Sequence, residues 1–156
     1  MTSRQDFTDE EWTRIRRAPL VAGVAISLAD PGGPIEVAKE TMATLRSATL
    51  PPSQEELLAS VALDIQALTQ HRQNPLGDFK PRGGQQVLEE LKAVNELVTA
   101  TASPEEAAAF GAWLLAAAQA AADAGKEGGF LGFGGEQVSA GEQRMLEQVR
   151  AALGIA

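Results

Sequence analysis

Apolar residues recur along this chain at three- and four-residue intervals, the period of a helix with one buried face, and no segment alternates as a half-buried strand would. The clearest stripe is Leu57, Leu58, Val61, Ile65 and Leu68. It follows Pro51-Pro52 and a Ser53/Glu56 pair at capping-box spacing, where the hydroxyl accepts from an early helical amide and the glutamate reaches back. Thr8 and Glu11 repeat that spacing and predict a short helix over about Asp9 to Arg17. Pro19 then reads as the first turn of a second helix, since the N–H it lacks would be unpaired there anyway. Leu20, Val21, Val24, Ile26 and Leu28 follow without a polar stripe, so this second helix is expected to be buried nearly all round. Gly23 within it is unfavourable by ~1 kcal/mol against alanine, which marks either a close crossing by another helix or a position under no constraint.

Asp30-Pro31-Gly32-Gly33 is turn chemistry, and Pro34 opens a helix carrying Ile35, Val37, Ala38, Met42 and Leu45, giving a helical hairpin around an acidic turn. Residues 73–84 mix proline, glycine and charge and form a long connection, with Phe79 as its anchor. Val87, Leu91, Val94 and Val98 define the next helix. Ser103-Pro104 starts another, with Phe110, Trp113, Leu114 and Ala117 inward, and Ser139 with Glu142 caps a last one that Gly154 ends. The expectation is a single all-α domain over residues 1–156, a compact bundle of about six or seven helices. Two hairpins share an order of features, Leu20 to Leu45 around Asp30 and Trp113 to Leu153 around Asp123, the pattern of a pseudo-repeat.

Composition sharpens this picture. Of 156 residues 44% are hydrophobic but only 4% aromatic, so alanine and aliphatic side chains must do the packing. A net charge of -8 repels phosphate backbones and anionic bilayers, which argues against nucleic-acid and membrane partners. Arg14, Arg16 and Arg17 read as a solvated helix face. The absence of cysteine removes thiol nucleophiles, thiolate metal sites and disulfides, in keeping with a cytoplasmic protein, and no signal-peptide pattern is visible.

Residues 125–142, GKEGGFLGFGGEQVSAGE, hold the one concentration of unusual chemistry. Glycines interleaved with Phe130, Leu131 and Phe133 predict a loop whose apolar side chains either tuck into the core or present a patch for homodimerisation or docking. The segment has no Walker lysine and no preceding strand, so it is not a phosphate loop. Counted from Asp123 as an EF-hand loop, Glu127 is fifth and Gly128 sixth, but Gly125 is third and Gly134 twelfth, so most of the carboxylate cage is missing. A looser divalent-cation site could draw on Asp30, Asp123, Glu127 and Glu136. His71, the sole histidine, belongs at a helix end, where exposed carbonyls favour a cation. Neighbouring acid pairs such as Glu89-Glu90 point in different directions and form no catalytic dyad.

Ala122-Asp123, Glu136, Val138, Ser139 and Glu142, with Leu146 and Val149 behind them, resemble the tellurite-resistance TerB-like helical family over about a quarter of the chain. That family's turn is compact, whereas residues 124–135 intervene here, and a proline follows Asp30. The resemblance implies a helical domain that senses or binds cations through surface carboxylates. The residues themselves favour a non-enzymatic interaction or regulatory domain, needing no cofactor, whose partner is another protein or a second copy. Cation binding is the alternative.

Overall fold

The computed structural model describes residues 2–29, 33–126 and 138–155, with no statement made of the Lys126 side chain. Among these residues a 3-10 turn at Arg4–Asp6 is followed by six α-helices: α1 (Asp9–Ala29), α2 (Pro34–Thr49), α3 (Glu56–Gln70), α4 (Gly84–Thr101), α5 (Pro104–Lys126) and α6 (Ala140–Ala152). There is no strand among the described residues, and the expected all-α bundle is the observed one.

The two longest helices, α1 and α5, form the centre, and each packs against every other helix. Their contact faces carry Trp12, Ile15, Val21 and Ile26 from α1 and Phe110, Trp113 and Leu114 from α5, all buried. Both indole N–H groups find acceptors, Trp12 on Asp64 Oδ2 at 2.7 Å and Trp113 on the Ser47 carbonyl at 2.8 Å, as buried tryptophans must to avoid an unpaired donor. Small residues fill the rest of the seam, Ala117, Ala118, Ala121 and Ala122 on α5 and Ala18, Ala22 and Ala25 on α1, so helices approach closely without large aromatic content. By length and composition α5 could cross a bilayer, and half of its most apolar window is buried inside the bundle.

Local stop and start signals act largely as expected. Thr8 Oγ1 accepts from the Glu11 amide at 3.1 Å while Glu11 Oε1 accepts from the Thr8 amide at 2.9 Å. Ser139 and Glu142 do the same for α6, and Ser103 Oγ accepts from the Glu106 amide. Gly154, at φ 68, closes α6: its amide donates to the Ala151 carbonyl and the next amide, Ile155, to Arg150, the paired bonds of a Schellman end.

Three expectations fail. The first two helices are one, because α1 runs through Pro19, which is buried in its interior. Proline there removes one helical bond and costs about 3 kcal/mol. The apolar period Trp12, Ile15, Ala18, Ala22, Ala25 crosses it unbroken, so burial on both sides outweighs the break, although Leu28 at the far end emerges into solvent at 36% exposure. The Ser53/Glu56 box does not form: α3 starts at Glu56, and the buried Ser53 hydroxyl has no partner among the described residues. The arginines are not a solvated face either. Arg14 Nε donates to Glu90 Oε1 at 2.8 Å, and Arg17 approaches the same carboxylate at 3.7 Å with its guanidinium 4.9 Å above the Phe79 ring. The Glu90 hydrogen bond outweighs burial and raises the Arg14 pKa. This network ties the 71–83 connection to α1 and α4, so Phe79 does anchor that connection, with arginine as its lid.

Candidate functional site

Helix α2 is built inside out. Its inward stripe is Glu40, Thr44 and Ala48, spaced four residues apart and all buried. Its outward face bears Ile35 and Met42, 73% and 66% exposed, with Leu50 at the C-cap likewise exposed. A helix in a globular protein ordinarily does the reverse. The inversion is possible because polar and small contacts hold α2 against α1 and α5. Ser27 Oγ donates to Glu40 Oε2, the Ser47 carbonyl accepts from the Trp113 indole, and Gly23 of α1 lies directly under Thr44. Without a side chain at position 23, the two backbones close to a distance that any larger residue would prevent, so Gly23 does mark a helix crossing.

Beside α2 a cleft of about 420 Å3 opens between α1, α2 and the segment that follows α3. Leu20, Val24, Leu45 and Leu76 supply its apolar walls, with hydroxyls from Ser27 and Thr69. Among the described residues, Arg72 is the only ionisable one lining it. Arg72 is also the one non-glycine residue with positive φ, 57°, among the described residues. It occupies the left-handed position of a Schellman end: its amide donates to the Thr69 carbonyl and the Gln73 amide to Leu68. Glycine fills that position without steric conflict, whereas a residue with a Cβ is strained there by about 1 kcal/mol. His71, as expected, caps the α3 C-terminus.

Of the cation-site residues read from sequence, Asp123 is described. It lies exposed in the last turns of α5, where Oδ1 accepts from Gln119 Nε2 at 3.0 Å, and it lines a shallow depression with Ala43, Arg46 and Leu50. Asp30, Glu127 and Glu136 fall outside the described residues, as do Phe130, Leu131 and Phe133. Two acids outside that expected cation set do converge. Glu40 and Glu142, 3% and 8% exposed, direct Oε1 and Oε2 to within 3.0 Å and 3.9 Å of the point a Cβ on Gly125 would occupy. Among the described residues no group of three or more histidine, cysteine, aspartate or glutamate side chains is placed to hold a metal.

No family model, curated protein or solved structure matches this chain. A functional reading therefore stands on the side chains themselves. Both the α2 face and the cleft offer apolar surface, with Lys39 and Arg46 exposed beside the first and Arg72 lining the second.

Proposed function

We propose that this protein is a non-enzymatic interaction domain that receives an amphipathic helix of another protein along the outer face of α2. The inverted amphipathicity of α2 carries the reading. Ile35, Ala38, Met42, Leu45 and Thr49 fall at the alternating three- and four-residue spacing of a coiled-coil seam. Ile35, Ala38 and Met42 are exposed along it, and Leu45 and Thr49 are half-buried. Burying such a seam is worth about 25 cal/mol per Å2 of apolar area removed from water. The charges bordering it, Lys39 and Arg46, share one sign and lie seven residues apart on the same edge. An antiparallel second copy would bring these like charges together, whereas a partner helix with glutamate or aspartate along its edges complements them. This reading adds α2 to the Phe130, Leu131 and Phe133 segment, which lies outside the described residues.

A three-heptad peptide with leucine at its seam and glutamate at its edges is the probe. It should bind the protein, and a lysine-edged version should bind at least about tenfold more weakly. Met42→Glu should abolish binding while moving the melting temperature by no more than about 2 °C, because Met42 is 66% exposed and surface changes are usually worth under about 0.5 kcal/mol. Equal binding of both peptides, or none, ends this reading. A stable dimer in sedimentation that Met42→Glu dissolves would replace the foreign helix with a second copy.

The second reading is a divalent-cation site, favoured by the convergence of Glu40 and Glu142 beside Gly125, two buried acids in place of the surface carboxylates that the TerB-like resemblance implies. Calcium or magnesium at millimolar concentration then raises the melting temperature by linkage, and does so less in Glu40→Gln. An unchanged melting curve removes the reading.

A further inference from the structure

We infer that the cleft between α1, α2 and the end of α3 is a binding site for a small amphipathic carboxylate, an aliphatic acid whose chain lies against Leu20, Val24, Leu45 and Leu76 and whose head pairs with Arg72. The volume, about 420 Å3, falls within the range of small-molecule pockets, roughly 300–1,000 Å3. The charge is selective. In a chain with 21 acidic and 13 basic residues, the described residues lining this cleft include one arginine and no acid, and none of the described carboxylates lies within ion-pair distance of that arginine.

The backbone at Arg72 is the second, independent observation. An arginine near a helix C-terminus complements the carbonyl dipole, but it could do so from the last turn, leaving glycine at the left-handed position. Holding arginine at φ 57° sacrifices stability to set a guanidinium on the rim of an apolar cavity, and such strain gathers at ligand sites. A planar guanidinium matches one carboxylate in a two-bond fork. One positive charge neutralises one negative charge, so a dianionic phosphate beside the α3 carbonyls would stay half-compensated. The cleft shares Leu45 with the α2 seam but is lined by neither Met42 nor Ile35, so Met42→Glu tests helix docking without altering the cleft wall.

Decanoate at submicellar concentration is the probe, with 1-decanol as its uncharged counterpart, read by titration calorimetry and by amide shifts at Val24, Leu45 and Arg72. Decanoate should bind one to one and at least about tenfold tighter than 1-decanol. Arg72→Gly should raise the melting temperature of the free protein by about 2–4 °C yet weaken decanoate at least about tenfold, a combination that a purely structural arginine does not produce. Arg72→Lys should recover part of the affinity. Thr41→Trp, at an exposed position on the cleft wall, should block binding without unfolding the bundle. Equal affinity for acid and alcohol, undiminished binding to Arg72→Gly, or binding unaffected by Thr41→Trp would each overturn the assignment, as would no binding at all.

Discussion

Gly23→Ala should destabilise the protein by about 2 kcal/mol and lower its melting temperature by about 4–8 °C. An alanine Cβ at this position would lie 2.2 Å from Thr44 Oγ1, 2.4 Å from Cγ2 and 2.8 Å from Cβ. A rotamer change could move the first two atoms but not the third, so the α1 and α2 backbones must separate. Overpacking of this kind costs typically about 1–3 kcal/mol, and here it acts against the ~1 kcal/mol by which alanine improves helix propensity. The opposing effects make the result decisive: without the clash, the same substitution would stabilise. Thr44→Gly on the facing helix removes all three offending atoms, so the double variant Gly23→Ala/Thr44→Gly should be more stable than the sum of its single changes predicts, by about 2 kcal/mol of coupling. Urea unfolding of the four proteins measures it. Additive effects would mean that the two helices do not cross there. The same crossing positions both sites, since Gly23 and Thr44 line the cleft and the close approach turns the seam of α2 outward.

What could be read in advance follows from how local each signal is. Capping boxes at Thr8 and Ser139, prolines opening α2 and α5, and the glycine ending α6 act within four residues, and each operates as its chemistry dictates. The buried stripes of α3, α4 and α5 were legible for a related reason, since three- and four-residue periodicity records a face buried by any neighbour. Pro19 misled because a local breaker met a long-range gain, and the continuous apolar period on both sides was the signal that could have corrected it. The α2 face resisted for the opposite reason. Ile35, Ala38, Met42 and Leu45 have the spacing of buried residues, and the contacts of Gly23 with Thr44, Ser27 with Glu40 and Trp113 with Ser47 decide that the polar side turns inward. Arg72 carried no sequence signal, because a left-handed arginine is visible only in backbone angles. The convergence of Glu40 with Glu142 requires the ends of α5 and α6 to meet α2, which no spacing reveals.

Glu106 shows how far such a substitution of partners can reach, and its removal should cost about 3 kcal/mol, or about 6–12 °C in melting temperature. Where Ser53 was expected to cap α3, the cap is supplied from 49 residues away: the Leu57 amide, an unpaired donor in the first turn of α3, donates to Glu106 Oε2 at 3.3 Å. The same carboxylate accepts from the Thr2 amide at 3.2 Å and from the Thr2 hydroxyl, and it is only 2% exposed. Glu106→Ala would strand these donors in the interior, and unpaired buried groups cost about 1–3 kcal/mol each. Burial by itself would raise the Glu106 pKa, but the bonds from Thr2 and Leu57 outweigh it and hold the group below its ordinary value of 4.5. The sign of the pH dependence follows. A carboxylate whose pKa is depressed in the folded state lends its full stabilisation above the unfolded value, and that stabilisation fades as pH falls through the folded value. The stability difference between the wild type and Glu106→Gln should therefore stay level from pH 7 to about pH 5 and shrink below about pH 4.5. Chemical denaturation of both proteins across that range measures it, and a difference that widened in acid would mean that the buried carboxyl is held protonated and that α3 is capped by a neutral acid.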